Sequence, residues 1–290
     1  MTTFKGVLTA MVTPFGADGE LDLPACRRVA RFLTENGSDG LVLAGTTGES
    51  PTLEDDEKLA LLRAVREELG DEAQLIVGTG SNDTRHSVRA TRDATEAGAD
   101  AVLIVTPYYN KPNPAGIRAH FEACCEATDK PVIAYNIPSR CVVNIPPSDL
   151  EEMGASFSNL VAVKQANDDE LGPLEGLEVL AGNDNVFLRA LRAGGTGGIT
   201  VASHIVGPQM ADLVRMVEHG ETGRAERLDA ELAPVYDVMG VTTNPIPVKT
   251  ALEMLGICSS TMRLPMVPAT DAQRDEIRAA LQGRGLEAAA

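Results

Sequence analysis

Positive charge is what this sequence lacks most. Across 290 residues, Lys and Arg number 25 against 42 Asp and Glu, and the formal net charge is -17. Such a chain repels phosphate backbones and anionic lipid, which argues against nucleic-acid and membrane-surface binding. The acidity reads instead as a solvated, self-repelling surface. Long apolar runs are also missing: none approaches the roughly 18 residues of a transmembrane helix. The opening segment MTTFKGVLTAMVTPF has no extended apolar stretch and is broken by Pro14, so no secretory signal and a cytoplasmic location are expected. Cysteines are few and odd in number: Cys26, Cys124, Cys125, Cys141 and Cys258. None lies in a C-x-x-C or in a Cys/His cluster with ligand spacing, so they read as reduced thiols, and no metal centre is expected. The adjacent Cys124 and Cys125 read as helix packing. A full dinucleotide fingerprint is absent too, because Gly78-Thr79-Gly80-Ser81-Asn82-Asp83 lacks the final glycine and comes late in the chain.

What is present is an alternation. Short, nearly continuous aliphatic runs at 7–13, 40–44, 74–78, 101–106, 131–136, 160–164, 178–182 and 198–201 have the character of strands buried on both faces. Amphipathic segments lie between them. One, at 23–36, has Asp22 before it, Pro24 in its first turn and Gly37 after it. Another opens at Thr52-x-x-Asp55, which reads as a capping box, and a third at Asn113-Pro114, an N-cap followed by proline. A fourth spans 184–193. Eight such strand–helix units predict an α/β fold, a (β/α)8 barrel, over residues 1–222. Beyond Gly220 only helical patterns remain, at 222–240, 245–256 and 271–282, so residues 223–290 are expected to form a C-terminal helical subdomain. The closing Ala288, Ala289 and Ala290 read as a frayed end. No internal repeat or low-complexity tract is evident.

A barrel of this kind places its active site at the C-terminal strand ends. The second run leads into Gly45-Thr46-Thr47-Gly48-Glu49-Ser50, whose glycines and threonines offer approachable amides for a small anion. The fourth ends in Thr106-Pro107-Tyr108-Tyr109-Asn110, using two of only four tyrosines. The fifth ends in Tyr135-Asn136-Ile137-Pro138-Ser139-Arg140. The sixth ends in Lys164, one of six lysines. A lysine closing a Val-Ala-Val run either snorkels to solvent or is partly buried with a lowered pKa, as a Schiff-base nucleophile requires. The four histidines are scattered, and three of them read as helix or surface residues. An amine, phenols, a hydroxyl pair, an arginine and an anion-binding turn suggest imine chemistry on a small keto acid.

The segments GTTGES (45–50), PYYNKP (107–112), YNIPSR (135–140), VAVKQA (161–166) and TNPIPVK (243–249) closely resemble the 4-hydroxy-tetrahydrodipicolinate (dihydrodipicolinate) synthase family, over essentially the whole chain. The turn and the barrel lysine are shared with the wider class of pyruvate-dependent aldolases; the tyrosine and TNPIPVK segments are more specific. The resemblance implies a lyase of lysine and diaminopimelate biosynthesis that condenses pyruvate with L-aspartate 4-semialdehyde. Lys164 would form the imine, and the amides of Thr46 and Thr47 would hold the pyruvate carboxylate. Thr47, Tyr135 and Tyr109 would relay protons, with Tyr109 reaching a neighbour's site. Arg140 would bind the aldehyde substrate's carboxylate, and Gly182 and Ile199 would line the pyruvate pocket. It also implies a homotetramer built as a dimer of dimers, with no metal and no diffusible cofactor.

Two other readings compete: a sister aldolase acting on a sugar-derived 2-keto acid, which Arg140 within YNIPSR disfavours, and a catalytically dead homologue, which the intact Lys164, Tyr135, Thr47 and Arg140 disfavour. Departures from the resemblance concern regulation. Lysine-sensitive relatives carry histidines after the GTTGES turn and a glutamate on the next helix. Here Asp55 and Lys58 stand in the first region and His86 in the second, while Ser50, Asn82 and Tyr108 keep the pattern. Weak or absent inhibition by L-lysine is therefore expected. Cys141 in place of a threonine reads as a neutral packing change, with oxidation as the alternative if the thiol is partly exposed, and Ser203-His204 in place of an Ala-Asn pair is expected to have no catalytic consequence.

Overall fold

The computed structural model describes residues 3–286; the expected frayed end at 288–290 lies outside them. Eight parallel strands close into a barrel in sequence order. They are β1 (Gly6–Ala10), β2 (Gly40–Leu43), β3 (Gln74–Gly78), β4 (Ala101–Val105), β5 (Val132–Asn136), β6 (Leu160–Gln165), β7 (Glu178–Ala181) and β8 (Gly197–Thr200). Around them run α1 (Leu23–Glu35), α2 (Asp55–Leu69), α3 (Thr84–Glu96), α4 (Pro114–Cys125), α5 (Pro138–Cys141), α6 (Pro147–Ser156), α7 (Phe187–Arg192) and α8 (Ser203–Glu218). The chain ends in α9 (Thr222–Val238), α10 (Ile246–Met254) and α11 (Asp271–Gly283). Among the described residues, no helix is long and apolar enough to cross a membrane.

Strand alternation sorts the side chains into two layers. Leu8, Ala10, Val42, Ile76, Leu103, Ile133, Ala162, Leu180 and Ile199 fill the barrel interior. The alternate positions pack outward, Val102, Ile104, Val132, Ala134 and Val163 meeting α4 and α6. The seam between β1 and β8 closes tightly: a Cβ on Gly197 would sit 2.2 Å from the Gly6 carbonyl oxygen. The C-terminal helices share a core with the barrel. Leu232, Val235, Leu252 and Ile277 belong to the same apolar cluster as Val29, Leu41 and Leu62.

Local chemistry explains where the elements begin and end, and where the sequence reading erred. Asp22 caps α1 by accepting from the Ala25 amide at 2.9 Å, and Asn113 caps α4 through Gly116 at 2.8 Å. The capping box of α2 is not Thr52-x-x-Asp55. Thr52 belongs to a short 3-10 turn, its hydroxyl donating to the Glu49 carbonyl, and lies two residues before the true N-cap, so the box is formed by Glu54 and Glu57. β1 stops at Ala10, short of the expected 13, because the Val12 amide turns to the His204 ring at 3.2 Å. The segment expected to be a helix from 184 starts as a 3-10 turn, Asp184–Val186, and becomes α-helical at Phe187, while the Asp184 carboxylate accepts from the Val201 and Ala202 amides. Between β6 and β7 the connection contains only a 3-10 turn, Asp168–Glu170, rather than an α-helix.

His120, on α4, and His204, on α8, are helix residues as expected, but both are buried rather than at the surface. The Val12 amide donates to His204 Nε2, so Nδ1 carries the proton and donates to the Val201 carbonyl at 2.8 Å. That pairing suits a neutral ring, and burial lowers the pKa of both histidines from 6.5 to about 4. The unfolded chain takes up these protons near pH 6.5 and the folded chain resists them until about pH 4. Stability therefore falls as pH drops through that window. Urea unfolding should show a loss of about 2 kcal/mol per histidine between about pH 7.5 and about pH 5. The His204→Gln variant should shed one such share of that slope, and an unchanged slope would show the ring titrates normally.

Candidate active site

Lys164 is 5% exposed at the end of β6. Its parity with Ala162 turns the side chain into the barrel, while Val163 packs outward. The pairing of β5 with β6 then decides its neighbour. Val132 pairs with Leu160 but Ile133 pairs with Ala162, so Val161 is an additional residue in β6. From there Tyr135 falls opposite Lys164, and the ammonium nitrogen lies 4.3 Å from the centre of the tyrosine ring. Without that bulge the lysine would pair with Asn136.

Burial pulls the Lys164 amine from 10.5 down to about 7; Asp184 opposes the shift and the Arg140 guanidinium adds to it. Burial also pushes the Tyr135 phenol up to about 12, against the pull of Arg140 and the Thr46 hydroxyl. The result is an amine with a substantial neutral fraction near pH 7 beside a phenol that keeps its proton, a nucleophile paired with an acid.

The remaining sequence-predicted residues arrive from other elements. Thr46 and Thr47 occupy the turn after β2; Thr47 is buried and accepts from the Asn244 side-chain amide at 3.0 Å. Arg140, on α5, is exposed and donates to the Asn244 main-chain carbonyl at 3.4 Å. Gly182 follows β7, where a Cβ would sit 2.7 Å from the Gln165 carbonyl oxygen, so only glycine fits beside the lysine strand. Ile199 lies fully buried on β8 in the inner layer. Tyr109 stands apart: it is 85% exposed, at φ 73, on the loop after β4. A cavity of about 540 Å³ is lined by Thr46, Tyr135 and Arg140, and also by Ser50, Lys58, Asn82, His86 and Tyr108. Near it, Asp55 accepts from His86 at 2.8 Å and from Lys58 at 3.5 Å. Burial works to raise the Asp55 carboxyl, but these two partners outweigh it and hold it below the usual range.

Sequence reasoning missed three groups. Asp184 was read only as the start of a helix, yet its charge bears on Lys164. Asn244 and Lys249 stand out in the sequence only as parts of TNPIPVK. Lys249 is fully buried and donates to Glu49 at 2.7 Å, to the Thr13 carbonyl at 2.9 Å and to the Thr261 carbonyl at 2.6 Å. The other Glu49 oxygen accepts from the Arg263 amide at 3.1 Å. Glu49 adopts a left-handed backbone, φ 55, inside the GTTGES turn. The signal that could have found the pair is a glutamate in a glycine-rich turn with one lysine in an apolar helix.

The chain is similar to known proteins along nearly its whole length. The chain matches the Dihydrodipicolinate synthetase family over residues 3–284. It is 44% identical, over 97% of this chain and 98% of the relative, to the 4-hydroxy-tetrahydrodipicolinate synthase of Moorella thermoacetica. The crystal structure of dihydrodipicolinate synthase from Thermotoga maritima aligns with a TM-score of 0.95 at 37% identity, covering 98% of this chain and 99% of that one. The enzyme from Cyanidioschyzon merolae, solved with lysine bound, aligns with a TM-score of 0.94 at 35% identity, covering 98% and 99%.

Removing one partner of a buried ion pair strands the other charge in the interior, at a cost of about 3–5 kcal/mol. Lys249→Met and Glu49→Gln should each destabilise the protein by about that much in urea unfolding. The double variant should lose less than the sum. Full additivity would show that the two groups act independently.

Proposed function

The chain belongs to the dihydrodipicolinate synthetase family, and we propose that it condenses pyruvate with L-aspartate 4-semialdehyde through an imine on Lys164. This is the lyase step that forms 4-hydroxy-tetrahydrodipicolinate in lysine and diaminopimelate biosynthesis. The observation that carries the reading is the buried Lys164 amine, in register with Tyr135 and with its pKa near 7.

The neutral amine attacks the pyruvate ketone, and the carbinolamine loses water to give the imine. The Tyr135 phenol, protonated at neutral pH, supplies the proton that the departing hydroxyl needs. Loss of a methyl proton gives an enamine, whose carbon attacks the aldehyde. The second substrate's amino group then closes the ring on the imine carbon and frees Lys164. One water leaves overall. The amides of Thr46 and Thr47 hold the pyruvate carboxylate, Thr47 and Tyr135 pass protons, and Gly182 and Ile199 bound the pocket. Arg140 takes the carboxylate of the aldehyde substrate in a two-pronged grip. Tyr109 is too exposed to serve its own site, which supports its joining the relay of a neighbouring subunit in a homotetramer, a dimer of dimers. The protonated imine is itself the electron sink, so the chemistry calls on no metal and no diffusible cofactor. A cytoplasmic location fits a biosynthetic enzyme with reduced, buried cysteines. The occupied Asp55 carboxylate and the nearby Lys58 ammonium disfavour a cationic amino acid in the adjoining cavity.

Borohydride with pyruvate should add mass at Lys164, and Lys164→Ala should abolish the adduct while keeping the fold. The trapping rate at limiting pyruvate should rise with pH and reach half its maximum near about pH 7; a midpoint near about pH 10 would sink the mechanism. In a coupled assay with both substrates, added L-lysine should inhibit weakly or not at all. Strong inhibition at physiological lysine would overturn the regulatory reading.

A further inference from the structure

Thr47 does not act alone in the relay. Its hydroxyl has one partner among the described residues, the side-chain amide of Asn244, which donates to Oγ1 at 3.0 Å from the loop between α9 and α10. The Asn244 main-chain carbonyl accepts from Arg140 at 3.4 Å. One residue outside the barrel thus touches a group assigned to each substrate. Asn244 Oδ1 is buried with no partner. Turning the amide over would place the NH2 group there with both donors unpaired and would make Thr47 the donor of the contact.

We propose that Asn244 is a positioning residue for the condensation, directing the Thr47 hydroxyl so that its proton points into the relay. The inference rests on the function proposed above. A threonine hydroxyl has one proton and two acceptor positions. Donation from Asn244 fills one acceptor position, polarises the O–H bond and turns the proton away from Asn244. The C-terminal segment thereby sets the direction of proton flow in a barrel active site.

Asn244→Asp and Asn244→Ala separate this role from a structural one. Aspartate keeps the shape but cannot donate, and its carboxylate takes the Thr47 proton out of the relay. Alanine merely releases the hydroxyl. The kcat should fall about a hundredfold in Asn244→Asp and about tenfold in Asn244→Ala, with the pyruvate KM held within about twofold. A shape-holding role gives the opposite order, and that order, or a KM rising in step with the loss of kcat, overturns the proposal. In a Thr47→Val background, Asn244→Ala should change kcat by less than about twofold; additive losses overturn the proposal as well. That cycle decides the matter if Asn244→Asp fails to fold. Borohydride trapping at Lys164 should persist in all folded Asn244 variants. Its failure in the parent protein would strike the proposed function itself, not Asn244.

Discussion

The buried ion pair between Glu49 and Lys249 is the contact on which the arrangement of the site depends. Both charges are removed from water, which is costly unless every remaining hydrogen-bonding position is filled. Here they are filled by the Thr13 and Thr261 carbonyls and the Arg263 amide. The pair therefore does more than join two surfaces. It pins a left-handed residue in the middle of the Gly45–Ser50 turn and seats α10 against the mouth of the barrel. With α10 seated, the preceding loop delivers Asn244 to Thr47 and Arg140.

A second constraint is desolvation at the barrel centre. The inner layer is aliphatic at every strand, and Lys164 ends within it. Burial disfavours the ammonium form, while Asp184, just beyond β7 and held by the two amides that follow β8, limits the fall in pKa. The balance leaves an amine that is nucleophilic near neutrality yet able to take up a proton as the reaction turns over. The chain's overall acidity has no part in this. Under the proposed function, anionic substrates would be met by local groups of opposite character, the Arg140 guanidinium and the threonine amides.

Much of this was legible beforehand. Eight aliphatic runs with capped helices between them announced the barrel, because strands covered on both faces need nearly continuous apolar sequence. Lys164, Tyr135, Thr47 and Arg140 stood out as costly or chemically able residues at strand ends. Other features were illegible for a physical reason: each depends on a partner far away in sequence. β1 ended early because His204, nearly two hundred residues on, claimed an amide. Asp184 looked like a helix start until Val201 and Ala202 were folded against it.

The sequence by itself determined the barrel and singled out Lys164 as the candidate nucleophile with the groups around it, since periodicity and residue chemistry are local properties. Only the tertiary structure decided that the nucleophile meets its acid. That meeting rests on the additional residue at Val161, which shifts β6 by one position and sets Lys164 beside Tyr135 rather than Asn136. Register belongs to a pair of strands and not to either one alone. The same holds for the tail: TNPIPVK is apolar helix sequence until folding brings Asn244 and Lys249 to a turn two hundred residues earlier.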